Sequence, residues 1–127
     1  MKVTILPVGM LGTNCYLVHT EAKNCVVVDP GAQPEKLIAA IEGADLTPGM
    51  ILLTHGHHDH IGAVKRLCAR WPEAVLYIGE GDVEMLTNPE MSLAMFRYQS
   101  AEEFRIEGAA PLTDGQELTL YELTIRV

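Results

Sequence analysis

Three short apolar runs, Cys25-Val26-Val27-Val28, Met50-Ile51-Leu52-Leu53-Thr54 and Ala74 to Ile78, are separated by two stretches of helical periodicity, and this alternation leaves the chain few possible folds. The runs are too short for buried helices and are rich in Val, Ile and Leu, so they read as strands, Cys25 to Val28 buried on both faces. Between the first two, Pro34 to Ile41 places Leu37, Ile38 and Ile41 on one helical face. Between the second and third, from about Asp59 to Trp71, Ile61, Val64, Leu67, Cys68 and Trp71 recur at helical spacing, leaving Lys65, Arg66 and Arg70 to water. Two successive strand-helix-strand units imply an α/β layered domain.

The flanks add antiparallel pieces. Lys2 to Val8 and Thr13 to Val18 are β-rich, with Gly9 and Gly12 supplying a turn, and read as a hairpin. Asp29-Pro30-Gly31 ends the third strand abruptly. From Glu80 to Arg97 the pattern is helical, with Asn88 as a plausible N-cap, Pro89 at the first helical position, and Met91, Met95 and Phe96 facing inward. After a less regular stretch, the turn signal Asp114-Gly115 precedes Leu118 to Leu120 and Leu123 to Val127. These read as a second hairpin whose phase slips at Tyr121-Glu122.

At 127 residues, 48% hydrophobic and 20% charged, the chain fits a single soluble globular domain spanning 1-127. No apolar run approaches the roughly 18 to 20 residues needed to cross a bilayer. Met1-Lys2-Val3 leads into a strand rather than a secretory segment, so the expectation is a cytoplasmic protein without membrane partners. Cys15, Cys25 and Cys68 share no C-x-x-C spacing and read as reduced, buried hydrophobes. The net charge is -8 and the nine Lys and Arg residues are scattered, which excludes a phosphate-tracking surface and with it nucleic acid.

The chemistry concentrates in Thr54-His55-Gly56-His57-His58-Asp59-His60. His55, His57, Asp59 and His60 are four metal-ligand types delivered by an apolar strand to a strand-to-helix loop, where open α/β sheets bind their ligands. Gly56 gives the backbone room to bend. Imidazole and carboxylate together suit zinc or a similar borderline divalent ion. In an extended loop His55 and His57 project to one side and can chelate one ion, leaving Asp59 and His60 for a second. The competing explanation, an incidental solvated histidine tract, fits this placement poorly.

Thr-His-x-His-x-Asp-His between an apolar strand and Ile61-Gly62-Ala63 resembles the metallo-β-lactamase-fold hydrolase superfamily. With Asn14-Cys15-Tyr16-Leu17-Val18, Val28-Asp29-Pro30-Gly31 and Ile51-Leu52-Leu53-Thr54, the resemblance extends to the small glyoxalase II-like branch (hydroxyacylglutathione hydrolase-like). It implies an αββα sandwich, of which this chain would be the N-terminal half, truncated at its C-terminal end. It implies His55 and His57 on a first metal, Asp59 and His60 on a second, and Asp59 as the catalytic residue orienting the attacking water. Two zinc ions are expected, with Fe or Mn as substitutes. Such ions lower the pKa of bound water to roughly 7, so a metal-bound hydroxide attacks a small-molecule ester or thioester without a protein nucleophile. The N-terminus of the following helix would add partial positive charge favouring the hydroxide and the oxyanion.

A catalytic zinc takes about three protein ligands, and four residues shared by two ions supply two each. The resemblance places the remaining ligands in later segments, a His-Thr-Pro-Gly-His-like stretch, a bridging aspartate and a last histidine. Of the local residues, His58 is expected to be solvated or to support the ligands from behind. His19 is expected in a surface turn, and Asp29 in shaping its own turn through hydrogen bonds to backbone amides. Met85, Met91 and Met95, with Leu86, Leu93 and Phe96, read as core before they read as a flexible flap, and Glu102, Glu103 and Glu107 as a solvated face. A half sandwich would expose apolar strand faces and an open edge at Leu123 to Val127, so the expectation is a fragment, a homo-oligomer or swapped assembly, or an incompletely covered protein. The alternative readings are a metal-binding domain without turnover and an interaction module whose half-sheet docks a partner.

Overall fold

The apolar runs assemble a sheet with a core on each face, and a computed structural model describes it for residues 1–88, 91–92 and 104–127. The strands are β1 (Lys2–Val8), β2 (Thr13–His19), β3 (Asn24–Val28), β4 (Thr47–Leu53), β5 (Val75–Gly79) and β6 (Ala110–Leu112), hydrogen-bonded in sequence order in one six-stranded sheet. β1, β2 and β3 pair antiparallel, and β3 to β6 run parallel, as the strand-helix-strand alternation requires. A separate antiparallel pair is formed by β7 (Glu117–Leu120) and β8 (Leu123–Arg126), turning at Tyr121, whose φ of 51° lies in the left-handed region.

Helix α1 (Pro34–Gly43) crosses from β3 to β4 and buries Leu37 and Ile41. The single helix expected from Asp59 to Trp71 is two, α2 (His58–Ile61) and α3 (Val64–Arg70). The cause lies in the backbone: the Gly62 amide donates to Gly31 O at 3.0 Å and the Ala63 amide to Pro30 O at 2.9 Å. These amides tie the break to the Pro30-Gly31 loop instead of extending the helical ladder. The expected inward face survives the break, with Ile61, Val64 and Leu67 buried.

The two faces of the sheet carry separate cores. Leu17, Val27, Ile51 and Ile78 pack with Leu37, Ile41, Ile61, Val64 and Leu67 from the helices. Their sequence neighbours point the other way, so Val26 and Met50, with Leu112, meet Leu118 and Leu123 of the β7–β8 hairpin. Each such side chain, once fully buried, contributes about 1.5–3 kcal/mol. The hairpin leaves the β1 end uncovered, where Val3 and Ile5 are 52% and 54% exposed.

Three further expectations change. The helix expected from Glu80 is a 3₁₀ turn, Glu80–Asp82, followed by α4 (Val83–Thr87), and Asn88 ends α4 in extended backbone. Asn88 also accepts from the Met91 and Ser92 amides, while Pro89 and the stretch 93–103, with Leu93, Met95, Phe96, Glu102 and Glu103, lie outside the described residues. Met91 is 39% exposed rather than facing inward. His19 is the last residue of β2, paired with Lys2 and Cys25, rather than a turn residue. Among the described residues no helix is long and apolar enough to cross a membrane.

Candidate metal centre

Because β3 and β4 are parallel, the residues that follow them emerge side by side. The ladder runs one step past β3, the Asp29 amide donating to Leu52 O at 3.0 Å. Asp29 adopts φ 53°, a left-handed conformation that Asp tolerates better than most residues. Asp29 is only 3% exposed, and its carboxylate turns toward the end of β4. There Oδ1 accepts from the Thr54 amide at 2.8 Å, and Oδ2 from the Thr54 hydroxyl at 2.6 Å and from His60 Nδ1 at 2.9 Å. Asp29 thus does more than shape its own turn: it ties the end of β4 to α2.

The histidine loop folds back over this anchor. One donor atom from each of His55, Asp59 and His60 lies within 4.8 Å of the others, a separation a single cation could bridge. The His60 and His55 ring centroids are 3.9 Å apart, and His57 stands edge-on to His55 at 4.9 Å. The convergent trio therefore draws one residue from the first expected pair and two from the second, with His57 at its border. His60 Nε2 is 3.3 Å from Asp59 Oδ2.

Burial alone would push the Asp59 carboxyl up, but the Thr13 hydroxyl bonded at 2.9 Å, the His60 ring and Asp59's own backbone amide outweigh it and hold the group below its ordinary range. Burial, then the neighbouring His60 and His57 rings, push His55 down against the opposing pull of Asp29 and Asp59. Both shifts favour the forms that bind metal, neutral imidazole and carboxylate.

Close backbone approach sets the loop's shape. A β-carbon on Gly31 would lie 1.8 Å from Asp59 O, so only glycine lets the Pro30-Gly31 loop support α2. Gly56 serves packing rather than bending: a β-carbon there would meet the Met85 side chain at 2.9 Å. Met85 thus rests on the histidine loop, between the core and flap roles that sequence offered. His58 is half-buried rather than solvated, its ring edge-on to Phe104 at 6.4 Å and its amide donating to Ser92 O. The expected helix-terminus charge shrinks with α2, which is a single turn. The β1–β2 turn brings Met10 and Leu11, 92% and 58% exposed, beside Gly31, His58 and Asp59.

Residues 8–125 match the family model of the Metallo-beta-lactamase superfamily. The hydroxyacylglutathione hydrolase GloC of Haemophilus influenzae is 45% identical over 53% of this chain and 32% of its own length. The probable metallo-hydrolase YqgX of Bacillus subtilis is 33% identical over 72% of this chain and 43% of its own. The chain thus spans less than half the length of both relatives. Among solved structures, the BLEG-1 B3 metallo-beta-lactamase superposes with a TM-score of 0.84 at 29% identity, over 98% of this chain and 59% of that one. TTHA1623 in a di-iron-bound form gives a TM-score of 0.72 at 34% identity, over 91% and 57%.

Proposed function

The chain belongs to the metallo-beta-lactamase superfamily, and from that premise we propose that it is a metal-dependent hydrolase acting on a small-molecule ester or thioester. The observation that carries this reading is the convergence of donor atoms from His55, Asp59 and His60 within 4.8 Å, backed by the buried Asp29. The family resemblance assigns His55 and His57 to one ion and Asp59 and His60 to a second, a division that the convergent trio crosses, and the donor set suits zinc. The di-iron form of TTHA1623 keeps iron in play as the native metal. A divalent ion bound there supplies Lewis acidity and makes water acidic enough to attack near neutral pH. Asp59 is the catalytic residue, holding and orienting the attacking water. Thr13 fixes one of its oxygens for that purpose.

The thioester class rests on the likeness to the hydroxyacylglutathione hydrolase, and the exposed Met10 and Leu11 suit the apolar part of an acyl group. Three free cysteines, Cys15 and Cys25 buried, suit a reducing compartment such as the cytoplasm. A net charge of -8 disfavours a nucleic-acid substrate.

The test is metal analysis of the purified chain together with hydrolysis of an S-acylglutathione. Bound metal and turnover that falls at least about 100-fold in both His57→Ala and Asp59→Ala support the reading. Bound metal without turnover supports the second reading, a metal-binding domain, which the ligand count of two residues per ion favours.

A further inference from the structure

Thr54 has one hydroxyl proton. Its Oγ1 lies 2.6 Å from Asp29 Oδ2, an oxygen that accepts, so the proton is committed there. The same Oγ1 is 3.1 Å from His55 Nδ1. With its proton spent, the hydroxyl oxygen can only accept in that contact, and the hydrogen must sit on His55 Nδ1. A neutral imidazole carries one N–H, so His55 Nε2 is left as a lone pair. On the other arm His60 Nδ1, 2.9 Å from Asp29 Oδ2, carries its hydrogen for the same reason, and its Nε2 points toward Asp59. The Thr54 amide on Asp29 Oδ1 at 2.8 Å keeps the carboxylate from rotating out of this arrangement.

We infer that Thr54 is a positioning residue that sets the tautomer of His55, relaying the acceptor demand of Asp29 so that one buried carboxylate fixes Nε2 as the free nitrogen of two histidines, His60 directly and His55 through the hydroxyl. The inference deepens the metallohydrolase reading and rests on it for the purpose of the arrangement, though not for the arrangement itself. Asp29 serves both arms, whereas Thr54 serves only the His55 arm. Losing the hydroxyl therefore frees one ring and leaves the other held.

Long-range ¹H–¹⁵N correlation spectra of histidine-labelled full chain, taken before zinc loading and after, at roughly pH 8 and thus above the ordinary imidazole range, read the tautomers directly. Both His55 and His60 are expected to carry hydrogen on Nδ1 before loading and to ligate zinc through Nε2. In Thr54→Val the His55 signals move toward the other tautomer while those of His60 stay. Zinc affinity by chelator competition falls about 10-fold or more in the same variant. Thr54→Ser restores both, and Asp29→Asn disturbs both rings. Hydrogen on His55 Nε2 in the unsubstituted chain, or an unchanged His55 tautomer in Thr54→Val, overturns the inference. The expected tautomers in a chain that takes up no metal would instead defeat the metallohydrolase reading and leave the relay standing.

Discussion

Thr13, the first residue of β2, donates its hydroxyl to Asp59 Oδ2 at 2.9 Å across 46 positions of sequence. The bond is part-buried and fixes a carboxylate that faces His60 at 3.3 Å. Thr13→Val keeps the shape of the side chain and removes the donor. If Asp59 is the ligand proposed above, the variant is expected to weaken metal binding about 10-fold or more, as losing an outer partner of a ligand does. Thr13→Ser should bind as the unsubstituted chain does. Zinc titration against a competing chelator checks both variants, and equal affinities for Thr13→Val and Thr13→Ser would remove the hydroxyl from the account.

Gly31→Ala is expected to damage the site from behind. The added methyl would sit 1.8 Å from the Asp59 carbonyl oxygen, a backbone atom that cannot rotate aside. Relief requires the Pro30-Gly31 loop or α2 to shift, and the Gly62 and Ala63 amides that bond this loop resist it. The cost should be about 1–3 kcal/mol of overpacking, read as a lower urea midpoint, with metal affinity lost in parallel. A change below about 0.5 kcal/mol, the scale of neutral surface substitutions, would mean that the two loops are not packed as described.

The layered α/β order was legible in the chain because Val26 and Val27, like Met50 and Ile51, are apolar on consecutive positions. Only a strand covered on both faces tolerates that, and here each pair divides between the two cores. The histidine cluster was legible for a local reason too, since strand, turn and proposed ligands are contiguous from Ile51 to His60. What sequence hid depends on contacts between distant segments. The apolar periodicity from Ile61 to Trp71 is the same whether or not the helix breaks, and the break is made by amides reaching Pro30 and Gly31. Asp29 carried a turn signature that masked its reach to Thr54 and His60, and Thr13 had no local signature at all. The short β6 was missed because Ala110-Pro111-Leu112 has neither length nor β-branching to mark it.

Leu118→Ala or Leu123→Ala tests whether the β7–β8 hairpin belongs to the folding unit. Both side chains are nearly buried, at 7% and 6% exposure, in the smaller core shared with Val26, Met50 and Leu112. Because the cluster is small and bordered by partly buried side chains that can close in, each truncation should cost about 2–3 kcal/mol, the lower part of the range for leucine. Urea unfolding followed by circular dichroism checks it. A hairpin that merely lay on the sheet would unfold in a separate, earlier transition, and the main midpoint would not move.

Stability should fall at alkaline pH through two thiols that play no part in the site. Cys15 and Cys25 are fully buried, and burial pushes each thiol from 9.0 up to about 12, with Asp29 adding to the rise at Cys15. The folded state thus holds its thiol protons over a range in which the unfolded chain releases them. For a folded pKa raised in this way the contribution is intact below about pH 9 and is lost as pH rises toward about 12. Within that window each thiol should lower the unfolding free energy by up to about 1.4 kcal/mol per pH unit. Cys25→Ala costs some packing at every pH but removes one titrating group, so its stability should decline less steeply above pH 9 than that of the unsubstituted chain. Urea midpoints measured at several pH values give the slopes, which are insensitive to the constant packing loss. Parallel slopes for the two proteins would mean that the Cys25 thiol ionises in the folded chain as readily as in the unfolded one.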